Sequence, residues 1–119
     1  QAIMRYLEQL PETPKVGGVI FVAGWFNLTD ETWDENYTKG IADEWINTPI
    51  DFEKIKQHSS EFVLVNSDDD PYVPLSDAEL FRNSLGAKVM MLSSKGHIAG
   101  DDGVTELPVV LEELLKMAE

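Results

Sequence analysis

The sequence predicts an α/β fold, a doubly wound parallel sheet, because three short apolar runs recur along it without polar alternation. They are Gly17-Gly18-Val19-Ile20-Phe21-Val22-Ala23-Gly24, Phe62-Val63-Leu64-Val65 and Val89-Met90-Met91-Leu92. Strands covered on both faces, as in a parallel sheet, read as continuous apolar runs. Helical or mixed segments separate the runs, giving the strand-helix-strand order that parallel pairing requires.

Taken in order, Gln1 to Leu10 places Ile3, Leu7 and Leu10 at helical spacing, with Tyr6 on the same side, and predicts an amphipathic helix. Pro11 and Pro14 end it, since proline lacks an amide donor and disfavours helical geometry in its predecessor. The helix opens without a capping Ser, Thr, Asp or Asn, the pattern expected of a chain cut inside a helix. Residues 25–60, rich in aromatics and acids, predict a helical insertion with Trp33, Tyr37, Ile41 and Trp45 as its buried stripe. Those aromatics serve either as core or as a lid over a substrate pocket. A second short helix is expected after Asp51, burying Phe52 and Ile55. Between the last two strands, Ser76-Asp77-Ala78-Glu79 fits a capping box, Leu80 and Phe81 supply the apolar face, and Gly86 the stop. From Thr105 to Met117, Leu107, Leu111, Leu114 and Leu115 form one stripe expected to pack on the sheet, with Pro108 near the helix start.

The 119 residues are enough for one core, near the lower end for a doubly wound enzyme. Nine Lys and Arg against 22 Asp and Glu give a net charge of −13, which repels nucleic acid and anionic membrane surfaces. The absence of cysteine rules out a disulfide framework, a thiolate nucleophile and a zinc-thiolate site, and fits a reducing, cytoplasmic setting. No apolar run approaches the roughly 20 residues that span a bilayer, so a soluble domain is expected. The triplets Asn27-Leu28-Thr29 and Asn36-Tyr37-Thr38 match a glycosylation pattern that arises often by chance.

The candidate chemistry lies after the last two strands, in Asn66-Ser67-Asp68-Asp69-Asp70-Pro71-Tyr72-Val73-Pro74 and Ser94-Lys95-Gly96-His97. Catalysts of open α/β sheets gather at the carboxyl ends of strands, which aim the loops that follow them. An acid that accepts an imidazole N–H fixes the tautomer and stabilises the imidazolium, so Asp70 and His97 read as two members of a Ser-His-Asp triad. No serine of the chain stands at a glycine-flanked strand-to-helix elbow. Ser67, Ser93 and Ser94 are poor nucleophile candidates for that reason. Asp68 and Asp69 are expected to bond nearby loop amides, and His58 to be a surface histidine.

Five stretches, in one colinear order, resemble the YdeN / retinoblastoma-binding-protein-nine-like serine hydrolase family of the α/β-hydrolase superfamily. They are Ala2-Ile3-Met4-Arg5-Tyr6-Leu7-Glu8, 17–24, Asp69-Asp70-Pro71-Tyr72-Val73-Pro74, Gly96-His97 and Asp101-Asp102-Gly103-Val104-Thr105-Glu106-Leu107-Pro108. The resemblance implies a three-layer α/β-hydrolase-like fold with Asp70 as triad acid and His97 as general base. The family's helix matching Gln1 to Leu10 directly follows a Gly-x-Ser-x-Gly elbow. The resemblance therefore implies a serine roughly four residues before Gln1, and 1–119 as the C-terminal part of a carboxylester hydrolase. Alone, such a part is expected to be inactive and either to self-associate or to need its missing N-terminal segment. The reaction requires no metal or cofactor, and the substrate of the intact enzyme is a small-molecule ester or amide.

Two other classes use the same letters. A noncatalytic module would bind a protein partner through the acidic aromatic insertion. A receiver-like phosphate switch would use Asp68, Asp69 and Asp70 with Lys95, but a receiver places its acidic pair after the first strand. Nor does the cluster have the alternating ligands and central glycine of a calcium loop.

Overall fold

The computed structural model describes residues 1–32 and 38–119. Its centre is a parallel sheet of three strands in the order β1 (Val19–Val22), β2 (Phe62–Ser67), β3 (Lys88–Leu92). Val19 pairs with Phe62, and Val63 with Lys88, so the carboxyl ends of all three strands emerge on one side. The helices are α1 (Ala2–Gln9), α2 (Thr38–Asn47), α3 (Phe52–His58), α4 (Asp77–Leu85) and α5 (Pro108–Met117), with 3-10 turns at Asp30–Thr32 and Gly100–Asp102. The apolar runs thus become parallel strands, and β2, paired on both sides, is buried throughout.

One face of the sheet carries the main core, where α1, α3 and α4 bring Met4, Leu7, Ile55 and Phe81 against Val19, Phe21, Phe62 and Leu64. Phe81 stacks obliquely on Phe26 (centroids 4.2 Å apart) and on Phe21 (5.2 Å), and Phe26 meets Phe52 edge-on at 5.6 Å. Asp51 caps α3 through Lys54 N–H, and Gly86 ends α4 in the left-handed conformation at φ 66°, as expected. Val89 packs on this core, so Lys88 points to the opposite face, where it pairs with Glu113 of α5.

Several orientations differ from expectation. In α1 the inward stripe is Met4 and Leu7, with Leu10 packed beside them, whereas Ile3 and Tyr6 are exposed. In α5 the inward group is Glu113, held by Lys88 and Lys116, and Leu111, Leu114 and Leu115 face outward. Glu113 shares that inner side with half-buried Val109, Val110 and Met117, the last packed beside Gly18. In the insertion, Ile41 and Trp45 are exposed rather than core, and Trp33 and Tyr37 lie outside the described residues. Ser76 makes no side-chain cap bond; Asp77 is instead buried and Glu79 pairs with Arg82. His58 is buried, not on the surface, because its Nδ1 bonds the Pro14 carbonyl at 2.6 Å and its own carbonyl accepts Val16 N–H.

Candidate active site

β2 delivers the acid. Past Ser67 the chain keeps one more ladder bond, Asp68 N–H to Leu92 C=O at 2.9 Å, then turns. Asp70 Oδ1 accepts the amides of Tyr72 (2.8 Å) and Val73 (3.2 Å), an Asx-type turn that fixes its side chain. Its other oxygen, Oδ2, lies 2.8 Å from His97 Nδ1. The Asp70 side chain is 1% exposed and that of His97 36%. The acid is therefore sheltered while the imidazole reaches solvent.

β3 delivers the histidine through a loop with three left-handed residues, Ser94 (φ 56°), Gly96 (57°) and Ile98 (55°). Such backbone costs on the order of 1 kcal/mol or more at each non-glycine position and persists only when neighbours hold it. Here carboxylates and a hydroxyl do so. Asp68 accepts Ser94 N–H (2.9 Å), Ser67 Oγ accepts Lys95 N–H (2.9 Å) and Asp69 accepts Gly96 N–H (2.8 Å). Asp102 Oδ2 accepts the amides of His97 (3.0 Å) and Ala99 (3.2 Å). Ser67 Oγ also donates to Asp69 at 2.8 Å, and with the Gly96 amide it holds the Asp69 carboxyl below the usual aspartate value. The three consecutive acids thus diverge, each spent on a different partner. The expected loop-bonding roles of Asp68 and Asp69 are present.

A carboxylate at Asp70 accepts from Nδ1–H, which leaves Nε2 of His97 with its lone pair free; among the described residues it has no partner. That nitrogen can take a proton from a hydroxyl brought up to it. Ser67 is buried and committed to Asp69 and Lys95, and no described serine bonds His97. The Tyr72 ring stands edge-on to the imidazole, with centroids 5.3 Å apart.

Three anchors were not foreseen from sequence. Asn66 at the end of β2 accepts Gly24 N–H (3.0 Å) and donates to Gly24 C=O (3.1 Å). Asp77, fully buried, accepts the amides of Phe26 and Asn27 at 2.8 Å each and the Asn27 side-chain amide at 2.9 Å. Polar residues at a strand end and a helix start were the only local signals; which loop they would hold is a tertiary fact. Asp102 is similar, five residues past the histidine and followed by Gly103 in the left-handed region.

A serine hydrolase family model matches residues 1–116. The chain belongs to the serine hydrolase family. It is 29% identical over 113 residues to YdeN of Bacillus subtilis (strain 168), covering 95% of this chain and 56% of that protein. It is also 29% identical over 117 residues to the serine hydrolase RBBP9 of Rattus norvegicus, covering 98% and 57%. The crystal structure of the B. subtilis ydeN gene product superposes with a TM-score of 0.83 at 28% identity, covering 98% of this chain and 59% of that one. This family member therefore spans somewhat more than half the length of these relatives, and its three parallel strands with flanking helices are α/β-hydrolase-like.

Proposed function

We propose that this chain supplies the acid and base of a Ser-His-Asp hydrolase of carboxylester type, with His97 as general base and acid and Asp70 as its orienting carboxylate. The observation that supports the reading best is the 2.8 Å Asp70–His97 contact at the carboxyl ends of adjacent parallel strands. The nucleophilic serine comes from protein outside these 119 residues, in a segment that continues the sheet beside β1. Its hydroxyl attacks the ester carbonyl carbon as Nε2 takes the proton. Collapse of the tetrahedral adduct breaks the carbonyl–alkoxide bond, and the imidazolium returns the proton to the departing alcohol. Water then attacks the acyl-serine by the same route and releases the acid. The family match supports the reaction class, and the lack of cysteine supports a cytoplasmic setting.

Labelling of the full-length protein by a fluorophosphonate probe tests the reading. Label on one serine, lost in His97→Ala, is expected, together with His97-dependent hydrolysis of p-nitrophenyl acetate. A full-length protein that folds yet neither labels nor turns over the ester would refute it.

A further inference from the structure

Beside the loop after β1 lies a cavity of about 430 Å³, within the range of roughly 300–1,000 Å³ usual for small-molecule sites. Its walls are Trp25, Leu28, Ile41, Ala42 and Trp45, closed at one end by the first residues of α1. We propose that it binds the apolar arm of a neutral carboxylic ester whose carbonyl is processed at His97. The inference rests on the hydrolase reading above and adds the substrate class.

Position is the first support. Thr32 on the rim of the cavity donates Oγ1 to Tyr72 C=O at 3.3 Å, and Thr29 N–H donates to the same carbonyl at 2.9 Å. Tyr72 is the residue whose ring meets His97, so one loop joins the cavity wall to the Asp70–His97 pair. Preformation is the second. The Phe26 and Asn27 amides are fixed on buried Asp77, and Gln1 Nε2 bonds Phe26 C=O at 3.3 Å, which holds Trp25 and Leu28 between anchored neighbours. Chemistry is the third. Ile41 and Trp45 turn 51% and 37% of their surface out of the core, toward a cavity that no charged side chain lines among the described residues. With a net charge of −13 around it and no cationic side chain among the described residues of its wall, the site disfavours anionic arms.

The test uses the full-length protein with two ester series, one lengthened on the acyl side (p-nitrophenyl acetate, butyrate, octanoate) and one on the alcohol side (ethyl, butyl and octyl acetate). The series that rises identifies which arm occupies the cavity. In that series kcat/KM is expected to climb by up to about fourfold per methylene. The anionic p-nitrophenyl hemisuccinate should be hydrolysed more slowly than the butyrate. Ile41→Asn and Ala42→Trp, both outside the buried core, should each reduce the long-to-short ratio by about tenfold or more. His97-dependent hydrolysis with no length preference in either series, or with a preference that both variants leave intact, overturns the inference while sparing the hydrolase reading. If no ester is turned over, the hydrolase reading fails separately, and quenching of tryptophan fluorescence decides the cavity. Methyl octyl ketone binding more tightly than methyl ethyl ketone, with the difference lost in Ile41→Asn, supports the cavity as the apolar-arm site; equal binding, or a difference that Ile41→Asn leaves intact, overturns it.

Discussion

Replacing Asp70 by Asn separates the two jobs its carboxylate performs. Oδ1 accepts two backbone amides, Tyr72 and Val73, while Oδ2 faces His97 Nδ1. An asparagine has one acceptor oxygen, and two N–H donors already point at the Oδ1 position, so the amide oxygen must settle there. Its NH2 group is then forced toward His97 Nδ1, which must become an acceptor, and the ring proton moves to Nε2. A histidine in that tautomer cannot accept the serine proton. The corresponding acid-to-amide change in a serine protease lowers kcat about 10⁴-fold, equivalent to about 5 kcal/mol of transition-state stabilisation, and the same loss is expected here. Stability should barely change, because both amides keep their acceptor. Asp70→Ala should lose as much activity but also about 1–3 kcal/mol of stability, because the Tyr72 amide is open to water while Val73 is buried and its amide loses its acceptor. For a full-length protein each kcal/mol corresponds to about 2–4 °C in Tm. Ester hydrolysis, thermal melts and the ring ¹⁵N shifts of His97 measure the three effects. An Asp70→Asn protein that kept more than about a tenth of its kcat, or retained the proton on Nδ1, would refute the tautomer reasoning.

Phe81→Ala removes a fully buried ring stacked on Phe21 and Phe26 and should cost about 3–5 kcal/mol in a thermal or denaturant melt; a loss under about 1 kcal/mol would contradict the packing described. Gly96→Ala puts a methyl group on the Asp102 carboxylate at a left-handed position, so kcat should fall as the His97 amide loses its acceptor, and unchanged turnover would deny Asp102 that role. Asp69, with its pKa depressed in the folded chain by Ser67 and Gly96, contributes stability that is present above the ordinary aspartate value and lost as pH falls through the depressed one. In Asp69→Asn the acid-side decline of Tm should therefore be shallower, and an identical decline would show that the hydrogen bonds do not depress it. Glu113, depressed by Lys88 and Lys116, has the same sign, so Glu113→Gln should also flatten the acid limb of the melting profile.

Much of this architecture was legible because it depends on local rules. The apolar runs became parallel strands, Gly86 stopped its helix, Asp51 capped its own, and Asp70 and His97 met because each follows a strand in the same sheet. Helix rotation was less legible. An apolar stripe shows that a helix has an inner side, but Met4 competes with Ile3, and Phe81 with Leu80, for a place one residue apart. The choice is made by what the sheet offers opposite. For α5 the inner side holds half-buried Val109, Val110 and Met117 together with Glu113, whose partner Lys88 is twenty-five residues away in sequence. The loop anchors were hidden for a related reason: Asn66, Asp77 and Asp102 are ordinary polar residues until the loops they hold are brought beside them.

Asn66 has a consequence for motion. Its side-chain amide offers Gly24 one donor and one acceptor, the same pair a neighbouring strand residue would, so β1 is in effect continued by one peptide beyond Val22 and Ala23. The Gly24 amide should accordingly resist deuterium exchange as long as the strand amides do, opening only with the sheet itself. The root of the loop bearing Trp25 then belongs to the last part of the domain to open, and that wall of the cavity stays in place as long as the sheet holds.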